Sequence, residues 1–150
     1  MKHHLLALAL LLSLSFCLPA TVRADASWET NLKKAQDQAK ASNKLVFLDF
    51  TGSDWCGWCI RQDKDIFSKP AFKEYASKNL VLVEVDFPRE KEQSTDVRKQ
   101  NQQLAQEYGV QGFPTIVVLN GAGQKVWRYD GYFEGGPEAF IAELEKARKG

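Results

Sequence analysis

Leu45-Val46-Phe47-Leu48-Asp49-Phe50 is an apolar run with one acid in it. Thr51-Gly52-Ser53-Asp54 leads from it directly into Trp55-Cys56-Gly57-Trp58-Cys59. Six residues are too few for a buried helix and read as a strand covered on both faces. A Cys-x-x-Cys pair that opens a helix after such a strand sets its sulfurs one turn apart on one face, close enough for a disulfide to close without moving the backbone. The pair can therefore cycle between dithiol and disulfide. Cys56, at the helix N-terminus, faces unpaired backbone N–H groups and the positive end of the macrodipole, which favour thiolate over thiol. That makes Cys56 the candidate nucleophile. Cys59, deeper in the first turn, can attack a mixed disulfide on Cys56 and release the reduced product, so it is the candidate resolving thiol. This chemistry needs a Cys56 sulfur that a substrate can reach.

The chain begins Met1-Lys2-His3-His4, continues through a mostly apolar run over 5–18, and then reads Pro19-Ala20-Thr21-Val22-Arg23-Ala24. This is the layout of a secretory signal peptide, with cleavage expected before Asp25 and after Ala26 as the next choice. The apolar run is shorter than the ~20 residues of a membrane-spanning helix, which leaves an uncleaved N-terminal anchor as the alternative. A lipoprotein reading through Cys17 is disfavoured by the bulky Phe16 beside it. Cleavage takes two of the 20 basic residues and none of the 19 acidic ones, turning a formal charge of +1 into about −1. That balance gives no reason to expect a nucleic-acid or membrane-surface protein.

Cleavage also removes Cys17 and both histidines, leaving Cys56 and Cys59 as the remaining cysteines. A zinc site would lack two of its usual ligands, so no metal and no cofactor is expected. A Cys-His hydrolase would lack its base. A purely structural bridge between neighbours one turn apart would constrain little of the unfolded chain. Residues 25–150 suffice for one domain with one core, and no repeat or internal linker divides them.

Trp28, Leu32, Ala35 and Ala39 recur at helical spacing behind Ser27, predicting a helix over about 28–42 that ends near Ser42-Asn43. After the strand 45–50, the cysteine motif should open a helix carried by Ile60, Arg61, Lys64 and Phe67. Pro70 should start a further helical segment that buries Phe72, Tyr75 and Ala76. Leu80 to Asp86 is strand-like, and the charged stretch 88–94 reads as solvated surface. Ser94 or Thr95 should cap a helix over 95–108 that buries Val97, Leu104 and Tyr108 and stops at Gly109. Strand 115–119, the turn Asn120-Gly121-Ala122-Gly123 and strand 124–129 form a hairpin, and Pro137 opens a last helix with Phe140, Ile141 and Leu144 inward. The order α-β-α-β-α-β-β-α predicts an α/β fold: a central mixed sheet with helices on both faces, whose helix-joined strands run parallel.

Cys56-Gly57-Trp58-Cys59 behind a strand, with Gly112-Phe113-Pro114-Thr115 before a hairpin, resembles the thioredoxin superfamily over most of residues 25–150. The nearest likeness is to exported bacterial thioredoxin-like proteins whose motif region reads as Phe50 to Cys59 does here. The resemblance implies a thioredoxin-like fold and a redox-active Cys56–Cys59 disulfide. It implies that Pro114 is cis beside that disulfide and that Phe113 offers its backbone to an extended substrate. Such pairing by strand addition holds varied sequences. Trp55, Gly57 and Trp58 would line the same groove, in which Gly131 leaves room. Asp49 matches the family's buried acid, raised by desolvation and able to take the Cys59 proton, although one extra residue separates it from the motif. Its alternative reading is a strand-end Asp bonded to loop backbone. The lysine that commonly accompanies this acid is missing, because Leu82 stands there, with Glu84 nearby.

Trp58 stands where thioredoxin has proline and disulfide isomerases have histidine. No cation is expected beside the Cys56 thiolate, which favours a reducing couple. The resemblance thus implies an enzyme, a thiol-disulfide oxidoreductase of the periplasm or another exported compartment. It would act as a monomer, reducing or rearranging disulfides of extracytoplasmic proteins, with a membrane electron donor to recharge it. Two rivals remain at this level. One is a non-catalytic binding or chaperone module of the same fold with a permanent disulfide. The other is two chains sharing an iron-sulfur cluster through four cysteines.

Overall fold

The structure is a computed structural model that describes residues 27–150. The expected leader 1–24 and Cys17 lie outside the described residues. Among the described residues no helix is long and apolar enough to cross a membrane.

The elements in chain order are β1 (Trp28–Glu29), α1 (Leu32–Ser42), β2 (Leu45–Thr51), α2 (Gly57–Gln62), α3 (Pro70–Asn79), β3 (Leu80–Asp86), α4 (Thr95–Glu107), β4 (Thr115–Leu119), β5 (Lys125–Asp130) and α5 (Gly136–Lys149). Five strands form one mixed sheet in the order β1-β3-β2-β4-β5. β1 and β2 both run parallel to β3, whereas β4 runs antiparallel to β2 and to β5. The central β2 is buried throughout, as its apolar run interrupted only by Asp49 and ending at Thr51 leads one to expect.

Alternation along β2 splits the core in two. Val46, Leu48 and Phe50 meet Val83, Val85, Val117 and Leu119 under Ala35 and Ala39 of α1 and Leu104 of α4. Leu45 and Phe47 point the other way, towards Ile66, Phe67, Phe72, Phe140 and Leu144. Phe47 is the hub of that second layer, with ring centroids 5.5 Å from Phe67, 5.7 Å from Phe72 and 6.1 Å from both Phe140 and Trp28. Such edge-on aromatic contacts add to the stabilisation from burial alone.

The helix expected from residue 28 starts four residues later. Asn31 caps α1, its side chain accepting the Lys34 N–H at 2.8 Å, and Trp28 pairs with Leu82 as an edge strand. The apolar spacing was misleading because Trp28 buries itself on the face opposite Ala35 and Ala39. Asn43 closes α1 in the left-handed region at φ 53°. Beyond α2 the chain widens into a π-helical turn over Asp63–Phe67. The inward side of this segment is Cys59, Gln62, Ile66 and Phe67, while Ile60 is half exposed instead of carrying the packing. In α4, Val97 is only partly buried. Its inward place is taken by Asn101, whose amide donates to the Asp86 carbonyl at 2.9 Å.

Candidate active site

Cys56 and Cys59 form a disulfide with Cα atoms 5.3 Å apart. Cys56 is the N-cap of α2, its backbone extended, and its Sγ accepts the Cys59 N–H at 3.3 Å. Cys56 keeps 7% of its surface and Cys59 5%. Cys56 in the disulfide form is thus far less open than the chemistry expected of it. Around this narrow opening stand the exposed Trp55 and Trp58 and, without any neighbour to crowd it, Gly57.

Two carboxylates hold the loop before the motif. Asp86, at the end of β3, accepts the Ser53 N–H at 2.9 Å and the Ser53 hydroxyl at 2.6 Å. Asp54 accepts the backbone N–H groups of Arg89, Glu90 and Lys91 at 3.0, 2.8 and 2.9 Å. These bonds, that of Arg89 foremost, hold the Asp54 carboxyl down to about 2. The stretch 88–94, expected as plain solvated surface, is exposed but anchored to the motif loop.

Trp55 is fixed from three sides. Its Nε1 donates to the Phe87 carbonyl at 2.8 Å, its ring meets Phe113 edge-on at 6.0 Å, and the Arg89 guanidinium lies 3.9 Å above it. Gly52 runs beneath the indole, where a Cβ would come within 2.5 Å of the ring. Trp58 is more open and leans on Tyr132 at 5.4 Å. Arg61 lies over both rings, 5.5 Å from Trp58 and 5.0 Å from Tyr132. Arg61, one helical turn on from Trp58, is thus a cation beside the tryptophan ring, a different place from the Cys56 thiolate beside which none was expected. Its charge is answered by Asp65 at 3.2 Å, which also accepts the Tyr132 hydroxyl at 2.8 Å.

The Phe113–Pro114 peptide is cis. Phe113, Pro114 and Gly131 line a surface groove of about 410 Å³ together with Arg128 and Asp130. The Pro114 carbonyl accepts the Gly131 N–H at 2.8 Å, while the Phe113 N–H and carbonyl have no backbone partner among the described residues. Gly131 sits at φ 89°, where a side chain is disfavoured, so it keeps this wall low.

Asp49 shares its face of β2 with Phe47 and projects into a cavity of about 310 Å³ that also touches Cys59, Glu84, Asp63 and Lys91. Only 8% of it is exposed, and its Oδ1 is buried without a hydrogen-bond partner. Burial pushes this carboxyl well above the ordinary range, and the charges of Glu84, Asp63 and Asp86 push it further. The alternative reading of Asp49 as a strand-end residue tied to loop backbone is corrected: Asp86 does that tying. The register sets Phe47 beside Leu82 and Asp49 beside Glu84.

Sequence reasoning missed the tethers Asp54 and Asp86, the ring partner Tyr132, and Gln62. Gln62 is fully buried, and its Oε1 accepts the Phe133 N–H at 2.9 Å. A signal for it existed, since Gln62 follows Cys59 by three residues and so shares its inward face.

A bridged Cys-x-x-Cys at the first turn of a helix on this sheet, with a buried carboxyl in a cavity that Cys59 also lines, defines a thiol-disulfide oxidoreductase of thioredoxin fold. The chain belongs to the family of thioredoxin-like domains, whose profile matches residues 32–148. It is 37% identical over 126 residues to the disulfide bond reductase DsbH of Chlamydia pneumoniae, an alignment covering 84% of this chain and 75% of that one. A solved structure described as DsbH oxidoreductase is 35% identical and superposes with a TM-score of 0.78 over 89% of this chain and 92% of the other. A disulphide isomerase of Xylella fastidiosa Temecula1 is 27% identical, with a TM-score of 0.61 over 87% and 99% of the two chains.

Proposed function

We infer that this chain is an exported enzyme that reduces or rearranges disulfides in other extracytoplasmic proteins through a mixed disulfide on Cys56. The observation that carries the reading is Cys56 as the N-cap of α2, bridged to a Cys59 that borders the Asp49 cavity. In the reduced protein the Cys56 thiolate attacks one sulfur of a substrate disulfide. A Cys56–substrate S–S bond forms, and the other substrate sulfur leaves as thiolate and takes a proton from water. Cys59 gives its proton to Asp49 as its sulfur attacks Cys56, and the first substrate sulfur leaves in turn. The substrate gains two electrons and the Cys56–Cys59 disulfide is restored. Rearrangement follows when the released thiolate attacks another bridge before Cys59 acts.

Trp55 and Trp58 would flank the captured segment, and the free Phe113 backbone groups would pair with it as with an added strand. Reduction favours the couple that lacks a free cation beside the Cys56 thiolate, and Arg61 is already engaged by Asp65. Continued reduction requires a dithiol donor, for which a membrane electron carrier is our proposal. The N-terminal layout supports removal of residues 1–24 on export, with an uncleaved anchor as the second reading.

A Cys59→Ser variant tests the mechanism by trapping. It should accumulate reducible covalent adducts with disulfide-bearing proteins, and a Cys56→Ser variant should accumulate none. Absence of adducts on Cys59→Ser would remove the basis for this reading.

A further inference from the structure

The cavity behind the disulfide holds more charge than one proton acceptor needs. Asp49 and Glu84 are register partners on the adjacent parallel strands β2 and β3, so both side chains leave the same face of the sheet, with Cα atoms roughly 4.8 Å apart. Lys91, from the stretch after β3, lines the same cavity and donates to the Ser53 hydroxyl at 3.0 Å. Ser53 in turn is held by Asp86. The other charged group on the cavity wall is Asp63, from the π-helical turn. Asp49 Oδ1 has no hydrogen-bond partner, so no donor stabilises its ionised form from within.

Two carboxylates side by side in a poorly solvated place lose their protons in sequence, and the second to ionise does so against the charge of the first. Glu84 is the more exposed of the two and has the cation on its side. Its carboxyl is raised by burial and by Asp86 but drawn down by Lys91. Asp49 is raised by burial first and by Glu84 next. Glu84 therefore ionises first, and its charge makes the neighbouring Asp49 a stronger base.

From this arrangement we propose that Glu84 and Lys91 are positioning residues for the exchange reaction: the Glu84 carboxylate strengthens its register partner Asp49 as proton acceptor for Cys59, and the Lys91 cation on the same cavity wall opposes that effect and sets its size. The inference rests on the role read for Asp49 above. As the Cys59 Sγ–H proton moves to Asp49, the sulfur electron pair forms the bond to Cys56 Sγ. The bond from Cys56 to the substrate breaks, its electron pair leaves on the substrate sulfur, and that sulfur is protonated by water. Asp49 then returns its proton to solvent, past a cavity rim that includes the exposed Ile60 and Lys91.

The test is the pH dependence of the resolving step. Reduced protein is mixed with 5,5′-dithiobis(2-nitrobenzoate), and the second phase of thionitrobenzoate release, which reports Cys59 attacking the Cys56 mixed disulfide, is followed by stopped flow. In the unaltered protein this rate falls on the acid side as the acceptor becomes protonated. Glu84→Gln should move that acid limb to lower pH and reduce the plateau above it. Lys91→Ala should move the limb to higher pH, and Lys91→Arg should leave it in place. At one pH on the limb, Glu84→Gln and Lys91→Ala should change the rate about threefold in opposite directions, the size expected of a nearby charge.

Loss of a merely structural contact would not shift the limb in opposite directions. Asp49→Asn separates the two levels of the argument. If the limb survives in that variant, Asp49 is not the acceptor, and both its role and this inference fall. If Asp49→Asn abolishes the limb while Glu84→Gln and Lys91→Ala leave it unmoved, or move it the same way, this inference alone is overturned.

Discussion

Phe47 and Asp49 leave β2 on the same face of the sheet, two residues apart, and meet opposite surroundings. Phe47 is fully buried, with Trp28, Phe67, Phe72 and Phe140 around it. Asp49 is nearly as buried, but it faces a cavity with two further acids and has a carboxyl oxygen that nothing satisfies. The two differ in what they do for the protein. Phe47 joins the helices to the sheet, whereas Asp49 is a buried carboxyl left unsatisfied, which lowers stability wherever it must carry a charge. A fold can carry such a group because the rest of the same strand is packed so well.

This contrast can be broken experimentally, starting with its stable end. Phe47→Ala should lower the free energy of unfolding by about 3–5 kcal/mol, a large share of a small domain's stability, as read from denaturant titration. The milder Phe47→Leu should cost less. In either variant the exchange rate per folded molecule should stay near that of the unaltered protein. A Phe47→Leu protein that is stable yet slow in exchange would show that the two ends are not separable.

At the reactive end the sign reverses. Asp49 has a raised carboxyl in the folded state, so between the unfolded value near ~3.9 and that raised value the native protein binds more protons than the unfolded chain. Stability should therefore fall as pH climbs through that window, by at most about 1.4 kcal/mol per pH unit. Asp49→Asn should remove the fall, and its advantage over the unaltered protein should grow with pH. Thermal unfolding followed from pH 4 upward would check this, and parallel curves for the two proteins would contradict it.

The smallest effect is expected on the loop that both ends share. Asp54 is depressed in the folded state to about 2, so its contribution is present above the ordinary carboxylate range and is lost as pH drops through that value. Asp54→Ala should leave global stability nearly unchanged. It should speed amide hydrogen exchange at Arg89, Glu90 and Lys91, whose N–H groups it holds. Unaltered exchange at those amides would mean that the motif loop and the 88–94 stretch are not coupled in solution.

Particular residues show how far the sequence could be read. The run 45–50 announced a buried strand, Gly109 and Pro137 marked a helix end and a helix start, and the cysteine spacing marked the reactive pair, because each signal is local and carries its own geometry. Trp28 misled because helical spacing records distance along the chain and says nothing about which side of a sheet a residue will cover. Asp54 gave no hint of its partners, since the three N–H groups it accepts lie 35 to 37 residues away.

The amino-acid order alone determined most of the element types, though not the edge strand at Trp28 or the π-helical turn, together with the two sulfurs one turn apart and the acid inside an apolar strand, which follow from periodicity and steric preference over a few residues. The folded arrangement alone decided that Asp49 lies beside Glu84 and that Lys91 reaches the same cavity. The reason is register: a slip of one residue between β2 and β3 would send Glu84 to the other face of the sheet, and only the packing of both faces at once selects the pairing that keeps it there.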